Sequence, residues 1–251
     1  MNKLLSRVPE VTFYFWTIKI LATTVGETAA DFLSGTLGLG LGTTSYIMSG
    51  VLLVVLLNQF RLKRYVPMSF WLVVVLTSIV GTLITDRLVD ELGVSLVAAN
   101  IIFSVALAII FALWYVNEKT LAMHSINTAK RELFYWGAVL FTFALGTARD
   151  FLAETLNLGY GQAVLLFGAA IALVTIGYHY LMLNAVLAFW IAYILTRPLG
   201  ASLGDLLAQP HSKGGFEYGT TGTSMLFLSI IASLILYLSL KQKQSRSASE
   251  Q

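Results

Sequence analysis

Residues 15–31 read FWTIKILATTVGETAAD. The aromatic pair Phe15-Trp16 opens the stretch, Gly26 lies near its end and Asp31 closes it. The same frame returns three times: Phe70-Trp71, Gly81 and Asp86; Tyr135-Trp136, Gly146 and Asp150; Phe189-Trp190, Gly200 and Asp205. The Trp-to-Asp separation is 15, 15, 14 and 15 residues. The glycine precedes the aspartate by five residues in three copies and by four in the third, a one-residue deletion. Asp31 to Asp86 and Asp150 to Asp205 are each 55 residues apart, while Asp86 to Asp150 is 64. Four copies in register mark an internal repeat, duplicated and then duplicated again.

Each copy holds two apolar stretches. A bilayer core about 30 Å thick needs about 20 apolar helical residues to cross it, and eight stretches qualify: 11–34, 43–60, 67–89, 95–116, 133–153, 161–182, 185–207 and 219–240. Composition agrees. Of 251 residues, 57% are hydrophobic and 12% charged, about half the ~25% charge of a soluble domain, and mean hydropathy is +0.78. The fold expected is an all-α integral membrane protein with eight transmembrane helices as four parallel two-helix repeats, forming two pseudo-symmetric halves. The N-terminus (1–10) precedes a first membrane half (11–116, repeats 1 and 2). A linker (117–132) leads to the second half (133–240, repeats 3 and 4), and a polar, Ser-rich tail (241–251) is expected to be disordered. No cleavable leader is expected, because the first apolar run is long and lacks a small-residue cleavage pattern.

An even number of helices per repeat gives each repeat the same orientation, with a pseudo-symmetry axis along the membrane normal. Lys3 and Arg7, Arg61, Lys63 and Arg64, Lys119, Lys130 and Arg131, and Lys241, Lys243 and Arg246 all fall on one side of an eight-span chain. Basic loops stay cytoplasmic, so both termini and the linker are expected there. The absence of cysteine excludes disulfides, thiolate metal sites and cysteine nucleophiles. The net charge of +3 sits in loops between apolar segments and does not suggest nucleic acid.

The motifs Phe15-Trp-Thr-Ile-Lys-Ile-Leu21, Gly26-Glu-Thr-Ala-Ala-Asp31 and Thr196-Arg-Pro-Leu-Gly-Ala-Ser-Leu-Gly-Asp205 resemble bacterial membrane proteins built from a four-copy repeat of unknown function. The resemblance covers nearly the whole chain. It implies a multi-pass protein of the bacterial inner membrane and names no activity.

Charges inside a span are costly, about 2.5–3.5 kcal/mol each at mid-bilayer on insertion scales. Glu27 and Asp31 are four residues apart and share a helix face, with Thr23 one turn deeper. Paired carboxylates coordinate a hard cation or share a proton. Alternatively, Asp31, Asp86, Asp150 and Asp205 mark helix ends near the outer interface. Glu27 lies a turn deeper, where copies 2 and 4 have Thr82 and Ala201. Arg197 falls in mid-span where copies 1 and 2 have Thr23 and Ser78, and Pro198 follows it. A proline there predicts a helix break or kink, and the guanidinium needs a close carboxylate, Glu27 or Asp31, either for function or for assembly. Lys19 corresponds to Val74, Val139 and Tyr193 and is expected to pair with Asp31 or Glu27 or to snorkel toward the cytoplasm. Arg149 and Glu154 flank Asp150 as a local ion pair. His179 reads as an interfacial residue, the aromatic pairs as belt anchors, and Gly26, Gly81, Gly146 and Gly200 as points of close helix approach. The loop Gly38-Leu-Gly40-Leu-Gly42 lacks the Lys and Ser/Thr of a phosphate cradle.

These features favour a small secondary transporter or channel of the inner membrane for a cation, whether a metal ion or a proton-coupled solute. The ion-binding candidates are Glu27, Asp31, Asp86, Asp150, Asp205, Arg197, Thr23 and Lys19. No cofactor is expected, the identity of any metal is open, and the partners are the lipid bilayer, a small cation or solute, and a second copy of the chain. An anion at Arg197 and a membrane scaffold without transport activity are the competing readings. An intramembrane enzyme is disfavoured, since no catalytic motif accompanies His124, His179 and His211.

Overall fold

The computed structural model describes residues 6–145 and 159–249, and it is helical throughout those residues apart from connections. The helices are α1 (Phe13–Asp31), α2 (Leu41–Arg61), α3 (Pro67–Asp86), α4 (Leu96–Glu118), α5 (Ala129–Ala144), α6 (Tyr160–Tyr180), α7 (Ala185–Ala208) and α8 (Gly219–Ser249). Their starts are set locally. The side chains of Thr12, Ser95, Thr128 and Asn184 accept from backbone N–H groups of the first turns of α1, α4, α5 and α7. Pro67 opens α3 at a position where its missing N–H costs nothing. After Asp31 and again after Asp86 the helix widens into a π-helical turn, Phe32–Thr36 and Arg87–Glu91.

The odd helices form an inner ring: α1 packs on α3 and α7, α3 on α5, and α5 on α7. The even helices lie outside, each against the odd helix of the following repeat: α2 on α3, α4 on α5, α6 on α7, and α8 back on α1. Helices from residues 11–116 and 133–240 therefore interlock in one ring. The hydropathy of each helix follows its layer. Six helices (α2, α3, α4, α6, α7 and α8) are long and apolar enough to cross a membrane, which makes the chain a multi-pass membrane protein. Over the most apolar stretch of α3, 78% of residues are buried, and of α7 56%, against 17% in α2, α4 and α6. The outer helices thus leave most of their apolar surface for lipid. In α1 the apolar run is interrupted by Lys19, Glu27 and four threonines, and these residues are almost all buried. A helix enclosed by other helices can carry polar groups that a lipid-facing helix cannot.

The ring closes tightly at the repeat glycines. A methyl group on Gly26 would collide with Ser78, one on Gly81 would lie 2.6 Å from Phe143 Cβ, and one on Gly200 2.6 Å from Thr23 Cβ. In every case the partner is the residue three before the glycine of the next copy, so one register runs around the ring. Gly146 lies outside the described residues. Hydroxyl groups staple the same interfaces: Thr24 Oγ1 donates to Gly200 O (3.0 Å) and Thr85 Oγ1 to Ala144 O (2.8 Å).

Three expectations change here. The aromatic pairs do not form a lipid-facing belt. Phe15, Phe70, Trp71, Tyr135, Trp136 and Trp190 are buried, and the rings meet across the bundle: Phe15 with Trp71 (5.5 Å), Phe70 with Trp136 (5.2 Å), Tyr135 with Trp190 (6.3 Å) and Phe15 with Phe189 (6.0 Å). The first turns of the four inner helices therefore gather at one end, sealed by an aromatic layer. Secondly, α7 runs unbroken through Pro198. Proline removes one backbone bond, and a packed membrane helix tolerates this when neighbouring groups satisfy freed carbonyls. Thirdly, α8 continues to Ser249. Its Lys, Gln, Arg and Ala residues are good helix formers and extend a helix already nucleated, so the expected disordered tail is helical.

Candidate functional site: a guanidinium shared by four helices

Arg197 projects from α7 into the centre of the ring, with 3% of its surface exposed. Its three nitrogens go to three different helices. Nε donates to Phe143 O on α5 (2.8 Å), Nη1 to Glu27 Oε2 on α1 (2.8 Å), and Nη2 to Thr82 Oγ1 on α3 (2.7 Å). One planar, permanently charged group thus touches all four inner helices, a task for which its fixed fork of donors is suited. The register explains the convergence. Arg197, Phe143, Thr23 and Ser78 occupy one position of the repeat, seven residues after the tryptophan, and Glu27 and Thr82 occupy the position one turn further on.

Further acidic groups lie toward the C-terminal ends of α1, α3 and α7. Asp86, half-buried at the end of α3, interacts electrostatically with Glu27, Asp31, Arg197 and Asp90. Asp31 is half-buried at the end of α1. Asp205 is buried in α7, and one of its oxygens accepts from Gln209 Nε2 at 3.5 Å. Among the described residues no three His, Asp or Glu side chains approach closely enough to hold a metal ion. Asp150, with Arg149 and Glu154, lies outside those residues.

On the other side of Arg197 is Lys19, 1% exposed, so it does not snorkel. It pairs with neither Glu27 nor Asp31. Nζ donates to Thr23 Oγ1 (3.4 Å) and lies 3.7 Å from the centroid of the Phe143 ring and 4.3 Å from that of Tyr193. The negative faces of the two rings stand in for a counter-ion. Thr23 Oγ1 also donates to Lys19 O (2.8 Å). The electrostatic neighbour of Lys19 is another cation, Arg197.

A second buried polar cluster, not expected from the sequence, lies at the aromatic end. Glu132, in the first turn of α5, is fully buried. It accepts from Arg7 Nη1 (2.6 Å), Gln59 Nε2 (2.9 Å) and Trp136 Nε1 (3.4 Å). Ser69 Oγ in turn donates to Gln59 Oε1 (2.7 Å). The segment around Arg7 is tied in by backbone bonds from Arg7 N to Ile126 O (3.0 Å) and from Tyr65 N to Ser6 O (2.8 Å). Burial pushes the Tyr65 phenol up from its ordinary range. The signal for Glu132 was present: it stands one turn before Trp136, on the same face, where the other copies have Thr12, Pro67 and Val186.

Comparison with known proteins adds one finding. The family described as Repeat of Unknown Function (DUF347) matches four times, over residues 14–65, 69–120, 134–182 and 188–244. Each segment holds one inner and one outer helix. Neither the curated proteins nor the solved structures contain a match.

Proposed function

Since the chain belongs to this repeat family, whose description leaves the activity open, we propose that it is a small secondary transporter or channel that moves a cation along the centre of its helix ring. In this reading all eight helices span the membrane as four parallel repeats about an axis along the normal. The membrane is the bacterial inner membrane, and both termini face the cytoplasm. The observation that carries the reading is the placement of charge. Arg197, Glu27 and Lys19 are all buried between the inner helices, and Asp86 and Asp31 stand beside them. A bundle that needs only to hold together can do so with small residues and apolar packing. Intramembrane ionisable groups that face the interior mark ion pathways. The chemistry of such a site is binding and release of a charge rather than bond cleavage, so no enzymatic activity is proposed.

The scaffold reading keeps one specific support, because the three bonds of Arg197 would clamp the ring even if nothing moved through it. Flux separates the two. In liposomes loaded with cation- and proton-sensitive dyes, Glu27→Gln should reduce flux by at least about tenfold while the protein stays monodisperse, the scale on which a positioned acid–base group acts. Full flux through well-folded Glu27→Gln protein would remove Glu27 from the pathway. No flux of any ion through the unmodified protein would favour the scaffold.

A further inference from the structure

The buried titratable groups of this protein form a line rather than a cluster. At one end Asp86 interacts with Glu27 and Arg197. Lys19 follows, next to Arg197 and against the face of the Tyr193 ring. The hydroxyls of Tyr193 and Tyr135 are neighbours, and Tyr135 is the electrostatic neighbour of Glu132 and Tyr65 at the opposite end. Lys19, Tyr193, Tyr135 and Glu132 are each 0–1% exposed. Among the described residues neither tyrosine hydroxyl has a hydrogen-bond partner other than the other tyrosine. Two adjacent hydroxyls left in this state are unusual in a packed interior and suit groups that must exchange partners.

Lys19, Tyr193, Tyr135 and Glu132 are exceptions to the repeat, whereas Asp86 is its regular aspartate. Lys19 and Tyr193 stand where the other two copies have Val74 and Val139. Tyr135 replaces the phenylalanine of Phe15, Phe70 and Phe189. Glu132 replaces Thr12, Pro67 and Val186. Packing alone would be served by the repeated residue. The exceptions arise on three different helices and yet follow one another as neighbours, bringing hydroxyl, amine and carboxyl groups among the aromatic rings.

We propose that this line is a proton path, so that the ion moved or coupled by the transporter proposed above is the proton rather than a metal ion. The step conserves all groups. The Lys19 ammonium gives a proton, directly or through one water, to the Tyr193 oxygen. The amine so left regains one, through water along Thr23, from the protonated Asp86–Glu27 carboxylate pair, leaving a carboxylate behind. Tyr193 passes its own hydroxyl proton to Tyr135, and Tyr135 its own to the Glu132 carboxylate. Each hydroxyl ends as it began. The charged or titratable groups around Lys19 are Arg197 and Tyr193 on α7 and Glu27 two turns along α1, with Asp86 of α3 beyond Glu27. On α5, Phe143 offers a ring, and Tyr135 lies beyond Tyr193. Arg197 and Lys19 are adjacent cations in this line. The same two cations oppose the passage of a metal ion, and no three-carboxylate site exists among the described residues to bind one.

The inference rests on the transport reading, and the test separates the two. Full-length protein is reconstituted in liposomes containing a fluorescent pH indicator, with the membrane potential set by potassium and valinomycin. The unmodified protein should conduct protons in response to potential. Lys19→Arg keeps the charge but cannot release a proton, and should lower conduction at least about tenfold. The double change Tyr135→Phe and Tyr193→Phe removes two oxygen atoms, keeps the rings, and should do the same. It decides the matter if Lys19→Arg does not fold. Unmodified rates in the folded tyrosine variant would overturn the path. Metal-ion flux without proton movement would overturn the path and leave the transporter reading standing. Absence of any flux would remove both.

Discussion

At the scale of single residues, the centre of the molecule depends on one charge pair. Removing one member of a buried pair leaves the other unpaired and costs about 3–5 kcal/mol. Arg197→Leu should therefore lower the thermal unfolding midpoint of the detergent-solubilised protein markedly. Adding Glu27→Gln should recover part of that loss, because an amide is cheaper to bury than a lone carboxylate. A double change no more stable than Arg197→Leu alone would show that the Phe143 and Thr82 bonds, not the charge, carry the effect. The Glu27–Arg197 contact was legible in the sequence, since two charges far apart in the chain and deep in their spans have few other partners. The environment of Lys19 was not. An aromatic box satisfies a cation without adding any charge to the sequence, so a search for a carboxylate partner looks in the wrong place. Glu132 was hidden for a different reason: it lies among Lys130 and Arg131 and reads as part of a solvated basic linker.

At the scale of helices, the repeat glycines set how closely neighbours approach. Gly81→Ala should destabilise by about 1–3 kcal/mol or more, the usual range for overpacking, because its Cβ would lie 3.1 Å from the Phe143 backbone as well as against its side chain. Gly50→Ala, within α2 with open space around it, should be neutral or stabilising by up to about 1 kcal/mol. Thermal melts of the two variants side by side measure the difference. Equal stability would remove the glycines from ring closure. The helices and the glycine contacts were readable, because hydropathy and the 55-residue spacing are properties of the chain itself. The side on which the Phe-Trp pairs lie was not, since an aromatic pair at a helix start suits a lipid interface and an enclosed layer equally well. The π-helical turns after Asp31 and Asp86 also left no mark in the pattern of residues.

At the scale of the whole molecule, topology gives the remaining test. The chain has no cysteine, so single substitutions report cleanly. Thr36→Cys should react with an impermeant thiol reagent in intact cells, and His124→Cys only after lysis, if both termini are cytoplasmic. Labelling of His124→Cys in intact cells would reverse the assignment. The order of packing around the ring has a separate consequence. Because every outer helix rests on the inner helix of the next repeat, and α8 rests on α1, no repeat is complete by itself and none is structurally first. Tyr65 binds Ser6 through its N–H and Gln242 through its carbonyl, which brings the two ends of the chain to the same place. The closed circuit is thus indifferent to where the polypeptide is cut. Four separate two-helix subunits, or one chain joined end to end and reopened at exposed Met182, could trace the same architecture. The linear order of the chain records how the copies were joined, while the packing order passes from each repeat to the next and back to the first.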